Sequence, residues 1–250
     1  MDPNEPAAAE RLSRITTLWT LVNQAHGNAP TSEGNAQRRL MEHYGGAVHR
    51  YLLGTLRHPD AADELFQEFA LRFIRGDFKN ANPERGRFRD YVKTALFHLI
   101  ADYRRRQKAR PQALKRGVND PAAPAPGLAE SEQAFLESWR EQLMDRTWRA
   151  LSQFETETGL PYHTTLRCRT DQPLLSSAEL AEQLGACLGK SYGIDAARQA
   201  LHRAREKFTE LLVCEVEASL EHASRDRLEQ ELTDLGLMAY CRQAVEKRDS

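Results

Sequence analysis

Apolar residues recur every three or four positions along most of the chain, and runs that alternate apolar and polar residues are missing. This period predicts an all-α fold. In the N-terminal half, the apolar stripe predicts one helix from Ala36 to about Arg57 and another that begins at Pro59, followed by a polar loop over residues 77–87. The clearest helix starts at Phe88, where aromatic and aliphatic residues repeat at helical spacing.

Residues 111–131 are rich in proline, alanine and glycine. Such a composition cannot bury a core, so this segment is predicted to be a flexible linker between two small helical domains. The second domain is predicted to start at residue 132, and its first apolar face consists of Phe135, Trp139, Leu143, Trp148, Leu151 and Phe154. The charged segment 218–250 keeps leucines at helical spacing and is predicted to be a helical C-terminal extension.

The second predicted domain contains a candidate helix-turn-helix. Ser176-x-x-Glu179 is a capping box that begins its first helix, and Gly185 suits a left-handed stop. The turn would then cover residues 186–194, which is longer than the three or four residues of a standard motif. A second helix follows from about Asp195, and its outward polar residues are Arg198, Gln199, His202, Arg203 and Arg205. Residues at the start of such a helix read base edges in the major groove, and later basic residues hold phosphates.

Composition and charge narrow the function classes. The chain has 250 residues, of which 40% are hydrophobic, and this is enough for one or two domains with real cores. Its net charge is −1, whereas a protein that holds DNA through charge alone is usually basic. A subunit that works with a larger partner, or a regulator with small basic faces, is therefore favoured.

Cysteine and histidine give little support to metal or redox chemistry. The four cysteines are scattered singly, and the eight histidines form no His-Glu-x-x-His. No apolar run approaches membrane-spanning length, and the acidic N-terminus lacks the pattern of an export signal. We therefore expect a cytoplasmic protein with no membrane partner and no cofactor.

One strongly basic segment surrounds the helix that starts at Phe88. Residues 85–110 hold nine lysines and arginines against two aspartates, and aromatic residues are interleaved with them. A solvated basic face is the ordinary explanation. However, such cations release counterions from phosphates and aromatic rings stack on unpaired bases, which suits a DNA strand that is being opened. The candidate DNA-binding residues here are Arg85, Arg87, Arg89, Lys93, Arg104, Arg105 and Arg106.

The helix that begins at Pro59 carries four acids and no base over residues 60–69. Acids near a helix N-terminus complement its macrodipole, and this explains Asp63 and Glu64 well by folding alone but explains Gln67 and Glu68, one turn further on, less well. The functional alternative is a polar strip that docks on a basic partner, made of Asp63, Glu64, Gln67 and Glu68. A metal-dependent nuclease would need carboxylates that converge from separate elements, and the spacing does not show this.

Taken in order, these blocks resemble the sigma-70 family of bacterial RNA polymerase sigma factors, specifically the small two-domain extracytoplasmic-function (ECF) type. The matching residues are the acidic strip, then Pro83-Glu84-Arg85-Gly86-Arg87-Phe88-Arg89, then Tyr103-Arg104-Arg105-Arg106, and finally the helix-turn-helix. The resemblance covers about Arg14 to Glu217. The order and separation of the blocks are more specific than any single block.

The resemblance implies a binding protein without catalysis of its own. Residues 14–110 would resemble sigma region 2, whose acidic helix docks on the β′ subunit of core RNA polymerase and whose loop 77–87 and basic helix recognise and melt the minus-ten element. Residues 132–217 would resemble sigma region 4, whose second helix reads the minus-thirty-five element. The implied partners are core RNA polymerase with its β′ and β subunits, double-stranded and melted promoter DNA, and, as a further candidate, an anti-sigma factor.

Two other functions compete with this interpretation. A stand-alone helix-turn-helix regulator would bind two-fold symmetric half-sites without polymerase. A nuclease that uses Asp63, Glu64 and Glu68 would need Mg²⁺, and no motif in the chain pairs a nucleophile, a base or a metal set.

Overall fold

The computed structural model describes residues 33–75, 87–109, 128–220 and 224–248, and every regular element in these ranges is an α-helix. The all-α prediction is therefore confirmed over the described residues. The helices are α1 (Glu33–Leu56), α2 (Pro59–Ile74), α3 (Phe88–Ala109), α4 (Leu128–Thr158), α5 (Tyr162–Asp171), α6 (Ser177–Leu188), α7 (Ile194–Ala218), α8 (Arg225–Asp234) and α9 (Met238–Glu246). Most of the predicted loop 77–87, and the predicted linker up to residue 127, lie outside the described residues.

The chain divides into two compact units at a different place from the predicted linker. The first unit takes Met1–Gln142 with Ala218–Ala223, and the second takes Leu143–Glu217 with Ser224–Ser250. Helix α4 already begins at Leu128, so the last four positions of the predicted linker are helical. Its first half belongs to the first unit and its second half to the second unit.

Aromatic packing explains why the start of α4 belongs to the first unit. The indole ring of Trp139 stacks on the ring of Tyr44, with 4.7 Å between centroids. Phe135 meets Tyr51 edge to face at 5.4 Å, and the hydroxyl of Tyr51 lies 2.7 Å from the hydroxyl of Ser131. Large rings gain both buried area and favourable ring geometry from such contacts. Residues assigned by sequence to the second domain therefore complete the core of the first.

Gln142 of α4 adds hydrogen bonds to the contact between α1 and α4. The side chain is 3% exposed, its amide nitrogen donates to the carbonyl of His43 at 2.9 Å, and its carbonyl oxygen accepts from Arg50 at 2.9 Å. A Cβ atom at Gly46 would lie 2.3 Å from that oxygen. The helices approach this closely because position 46 has no side chain.

Helix α7 provides much of the buried surface of the second unit. The buried residues of α7 are Ala197, Leu201, Ala204, Phe208, Leu212, Val213 and Val216. The ring of Phe208 lies 4.9 Å from that of Trp148, and α5 packs on α6. In the predicted C-terminal extension, α8 and α9 bury Leu228, Leu232, Cys241 and Val245, so the prediction of helix in this segment is confirmed.

Candidate nucleic-acid interface

The start of helix α2 is fixed by a capping residue and a proline. The ring nitrogen Nδ1 of His58 accepts a hydrogen bond from the backbone N–H of Ala61 at 3.3 Å, and Pro59 follows at the first helical position. Both features satisfy or remove backbone donors that a helix start leaves unpaired. Buried Leu65, Phe69 and Phe73 fix the inner face of the helix. The predicted acidic strip is thereby held on the other side.

The four residues of the acidic strip differ in availability. Glu64 and Gln67 are exposed. Asp63 is also exposed, but one of its carboxylate oxygens lies 2.7 Å from Nε2 of His49 on α1. Glu68 is only 25% exposed at its side chain and is enclosed by two arginines. The outward-facing part of the strip is therefore Glu64 and Gln67, with Asp63 beside them.

Glu68 is the centre of a small charge cluster between α2 and α3. Arg106 donates to one carboxylate oxygen at 2.9 Å, and Arg72, one turn further along α2, donates to the other. Burial alone would raise the pKa of Glu68, but the hydrogen bonds and charges of the two arginines outweigh it and hold the pKa below its ordinary value. Glu68 is therefore a charged, paired residue that fixes α3 against α2.

The basic residues of α3 do not form one uniform face. Arg89 is 5% exposed, so the prediction that it presents a surface cation to DNA is wrong. Arg89 directly follows Phe88 at the start of α3, and both residues are buried there. Lys93 reaches Glu132 of α4 at 3.0 Å and Asp90 at 3.7 Å, which makes it a link within the first unit.

The basic residues at the C-terminal end of α3 are more exposed than Arg89 at its start. Arg105 is 81% exposed at its side chain and pairs with Asp102 at 2.9 Å, and the side chain of Arg106 is 54% exposed. Arg104 is half-buried, and Arg87 is half-buried before the start of the helix. Cations at a helix C-terminus also complement its macrodipole. Arg85 lies outside the described residues.

In the second unit, the first helix of the candidate helix-turn-helix starts as predicted. The Ser176 hydroxyl accepts from the backbone N–H of Glu179 at 3.3 Å, and the Glu179 carboxylate accepts from the backbone N–H of Ser176 at 2.7 Å. The hydrogen bonds from the Ser176 side chain and backbone hold the pKa of Glu179 below its ordinary value. The capping-box prediction is confirmed.

The predicted stop at Gly185 is wrong, because α6 continues to Leu188 and is capped by Gly189 with φ +64°. Gly185 has a different role. A Cβ atom there would lie 3.0 Å from the carbonyl of Lys190, so a glycine permits the chain to fold back against the helix. The turn before α7 therefore covers residues 189–193 instead of the longer segment that the sequence suggested.

Helix α7 presents the polar residues that the sequence placed outward. Arg198, Gln199, His202, Arg203 and Arg205 are all exposed. Nε of Arg198 donates to the hydroxyl of Ser177 on α6 at 3.1 Å, and its guanidinium also lies 3.4 Å from Asp195. These contacts orient the first basic residue of α7 towards the start of α6. The arrangement is a row of polar donors on one exposed helix face, of the kind that fits a nucleic-acid groove.

Two residues near this row were missed by sequence reasoning. Glu206 lies one turn beyond His202, with 3.6 Å between the ring Nε2 and the carboxylate. Lys247, just after α9, lies 2.6 Å from the same carboxylate. The spacing of His202 and Glu206 could have revealed the first contact, but no local signal reveals a lysine that follows forty-one positions later.

A metal site and a membrane-spanning helix receive no support within the described ranges. There, no group of three or more His, Cys, Asp or Glu side chains could hold a metal ion. Among the same residues, no helix is both long enough and apolar enough to cross a membrane.

Comparison with known families is informative for one part of the chain. Residues 40–110 match the family model of Sigma-70 region 2, and this segment contains most of α1 together with α2 and α3. No curated protein and no solved structure matches the chain. The match supports a sigma-70 family factor with a role in transcription initiation.

Proposed function

We propose that this chain is a sigma factor of the extracytoplasmic-function type, which binds core RNA polymerase and directs promoter recognition and DNA melting. The observation that carries the proposal is the match of residues 40–110 to Sigma-70 region 2. Within this segment, an acidic exposed strip on α2 precedes a helix whose end is cationic, in the order that the resemblance requires.

Polymerase docking is assigned to the exposed face of α2. Glu64 and Gln67 are accessible there, and Asp63 lies beside them. These side chains supply negative charge and hydrogen-bonding groups for the β′ subunit. Glu68 contributes less directly, because both of its carboxylate oxygens already accept hydrogen bonds from arginines.

Contact with the minus-ten element is assigned to the cationic end of α3 and to the segment before it. Arg104 and Arg105 supply positive charge for phosphates, and Arg106 adds to it because its side chain is still 54% exposed while it pairs with Glu68. Arg85 and Arg87 are proposed to contribute from the segment before α3. Lys93 is assigned an indirect role, since it is engaged with Glu132, and Arg89 is left out because it is buried.

Contact with the minus-thirty-five element is assigned to α7. The five exposed residues Arg198, Gln199, His202, Arg203 and Arg205 support this assignment. The turn over residues 189–193 is also shorter than the sequence suggested, which brings the pair α6 and α7 closer to the standard motif. An anti-sigma partner stays a prediction.

The proposal is tested by titrating the purified full chain into fluorescently labelled core RNA polymerase. We expect tight association, which Glu64→Lys weakens because it reverses a charge at the centre of the docking strip. Glu157→Lys is the matched control, since it makes the same change at an exposed position near the end of α4. Absence of association by the wild-type chain would overturn the proposal, and equal losses in both variants would overturn the docking assignment.

A further inference from the structure

An acidic residue interrupts the cationic face of α7. Glu206 follows Arg203 by three positions and His202 by four, so it lies on the same side of the helix. An unneutralised carboxylate at this place would repel the phosphates of a duplex that lay along α7. A surface built to hold nucleic acid therefore has to compensate for Glu206.

Lys247 provides this compensation from the C-terminal extension. Its ammonium group donates to Oε1 of Glu206 at 2.6 Å, and its side chain is still 67% exposed. The hydrogen bond and charge of Lys247, with smaller contributions from His202 and Arg203, hold the pKa of Glu206 below its ordinary value. The carboxylate is thus charged but paired, and the lysine remains open to a further anion.

The position of Lys247 is fixed by its neighbours. Cys241 and Val245 of α9 are buried. The next residue after Lys247, Arg248, donates to Glu217 of α7 at 2.6 Å and to the sulfur of Cys214 at 3.1 Å. An isolated exposed ion pair contributes little to stability, because two long side chains lose conformational entropy when they form it. Here the packed helix and the second pair on α7 have already ordered the segment that carries Lys247.

We propose that the C-terminal extension completes the duplex-facing surface of α7: Lys247 neutralises Glu206 and extends the cationic row to the phosphate backbone of double-stranded DNA. This inference rests on the proposed role of α7 in promoter contact. It assigns to residues 225–248 a part in nucleic-acid binding, in a segment that lies outside the region matching Sigma-70 region 2. The partner that the surface fits is a polyanionic duplex, since Arg203 and Lys247 are exposed cations beside Glu206.

A double-mutant cycle tests the inference with the full chain and a fluorescent DNA duplex of random sequence at low salt. Lys247→Gln should weaken binding about two- to fivefold and should make the dependence of affinity on salt less steep by about one charge. Glu206→Gln should tighten binding. The double variant Lys247→Gln/Glu206→Gln should recover much of the affinity lost in Lys247→Gln, because the unpaired carboxylate is gone.

Arg242→Gln is the matched control, because it removes one positive charge from an exposed position of α9, the helix that Lys247 follows. The labelling rate of Cys241 by a thiol reagent shows whether α9 remains packed in each variant. Equal losses in Lys247→Gln and Arg242→Gln would overturn the inference, since only total charge would then matter. Tighter binding by Lys247→Gln would also overturn it, because the extension would then restrain the face of α7.

The inference and the proposed function fail in different ways. If the wild-type chain associates with core RNA polymerase but no duplex binding is detected at low salt, the inference is overturned and the polymerase assignment stands. If the wild-type chain binds the duplex through Lys247 but never associates with the polymerase, the surface is supported and the sigma-factor proposal is overturned.

Discussion

Arg106 donates a hydrogen bond to Glu68 across 2.9 Å and so joins the cationic end of α3 to the acidic strip of α2. The sequence assigned these two residues to different partners, Arg106 to DNA and Glu68 to the polymerase. The structure makes them partners of each other, together with Arg72. The pair therefore stabilises the relative position of the two helices that carry the proposed contacts.

The pairing predicts a specific dependence of stability on pH. The folded-state pKa of Glu68 is lowered, so its contribution to the free energy of unfolding is complete above the unfolded-state pKa of about 4.3 and is lost as the pH falls through the folded-state value. Glu68→Gln should be less stable than wild type at neutral pH and should lose less stability on acidification. Chemical denaturation of both proteins over this acid range measures the difference.

Glu64→Gln is the control for this experiment. It removes a charge from the same helix but leaves both hydrogen bonds between Glu68 and the arginines in place. Its unfolding free energy should follow the wild-type pH profile. Identical profiles for Glu68→Gln and Glu64→Gln would show that the pairing of Glu68 with the two arginines contributes nothing to the free energy of unfolding.

The contact between Gly46 and Gln142 predicts opposite effects of the same substitution at two sites in α1. At Gly46, a methyl group would displace a buried, hydrogen-bonded amide, which costs about 1–3 kcal/mol. Alanine gains about 1 kcal/mol over glycine in a helix interior, so Gly46→Ala should lower the free energy of unfolding by about 1 kcal/mol. Gly54→Ala has open space around its Cβ position and should raise it by up to about 1 kcal/mol.

Equilibrium denaturation in urea measures both glycine variants. If Gly46→Ala were as stable as Gly54→Ala, Gln142 would not be held where the structure places it. The double variant Gly46→Ala/Gln142→Ala is compared with the two single variants in the same experiment. Gly46→Ala should lower the free energy of unfolding less in the Gln142→Ala background, because the amide that the methyl group displaces is gone.

Helix positions were largely predictable from the sequence, because their signals are local. Pro59, the capping box at Ser176 and the apolar repeat from Phe88 each mark a start that the structure confirms. The membership of residues 128–142 was not predictable, since the ring of Trp139 finds its partner Tyr44 ninety-five positions away in the chain. No helical period specifies which distant surface an apolar face will cover.

The two glycines near the end of α6 show a second limit of sequence reasoning. Gly185 and Gly189 are both reasonable left-handed stops, and only the structure shows that the second has the positive φ. The first is needed for a close approach to the carbonyl of Lys190. The burial of Arg89 is a third case, because a position off the apolar stripe predicts an exposed side chain and the structure buries it.

Gly189 gives a direct test of the corrected turn. A residue with a Cβ atom is strained at φ +64°, so Gly189→Ala should lower stability by about 1–2 kcal/mol. Asparagine tolerates the left-handed region better, so Gly189→Asn should lose substantially less. Thermal unfolding followed by circular dichroism compares them. Equal losses for alanine and asparagine would mean that crowding, and not backbone conformation, limits this position.

Thiol reactivity reports on the packing of α9. Cys241 is fully buried, and burial raises its pKa to about 11, so very little reactive thiolate is present at neutral pH. Cys187 is exposed. We expect a maleimide reagent to label Cys187 rapidly and Cys241 only after unfolding, as read by peptide mass mapping. Rapid labelling of Cys241 in the native protein would contradict the packed extension described here.

The most direct test of the central claim is transcription in vitro from a library of genomic promoter fragments, with core RNA polymerase in the presence and absence of the purified chain. The sigma-factor proposal predicts transcripts that start at defined sites only when the chain is present, and fewer of them with Glu64→Lys. A library in which no start site depends on the chain, with a polymerase preparation shown to be active with another sigma factor, would contradict it.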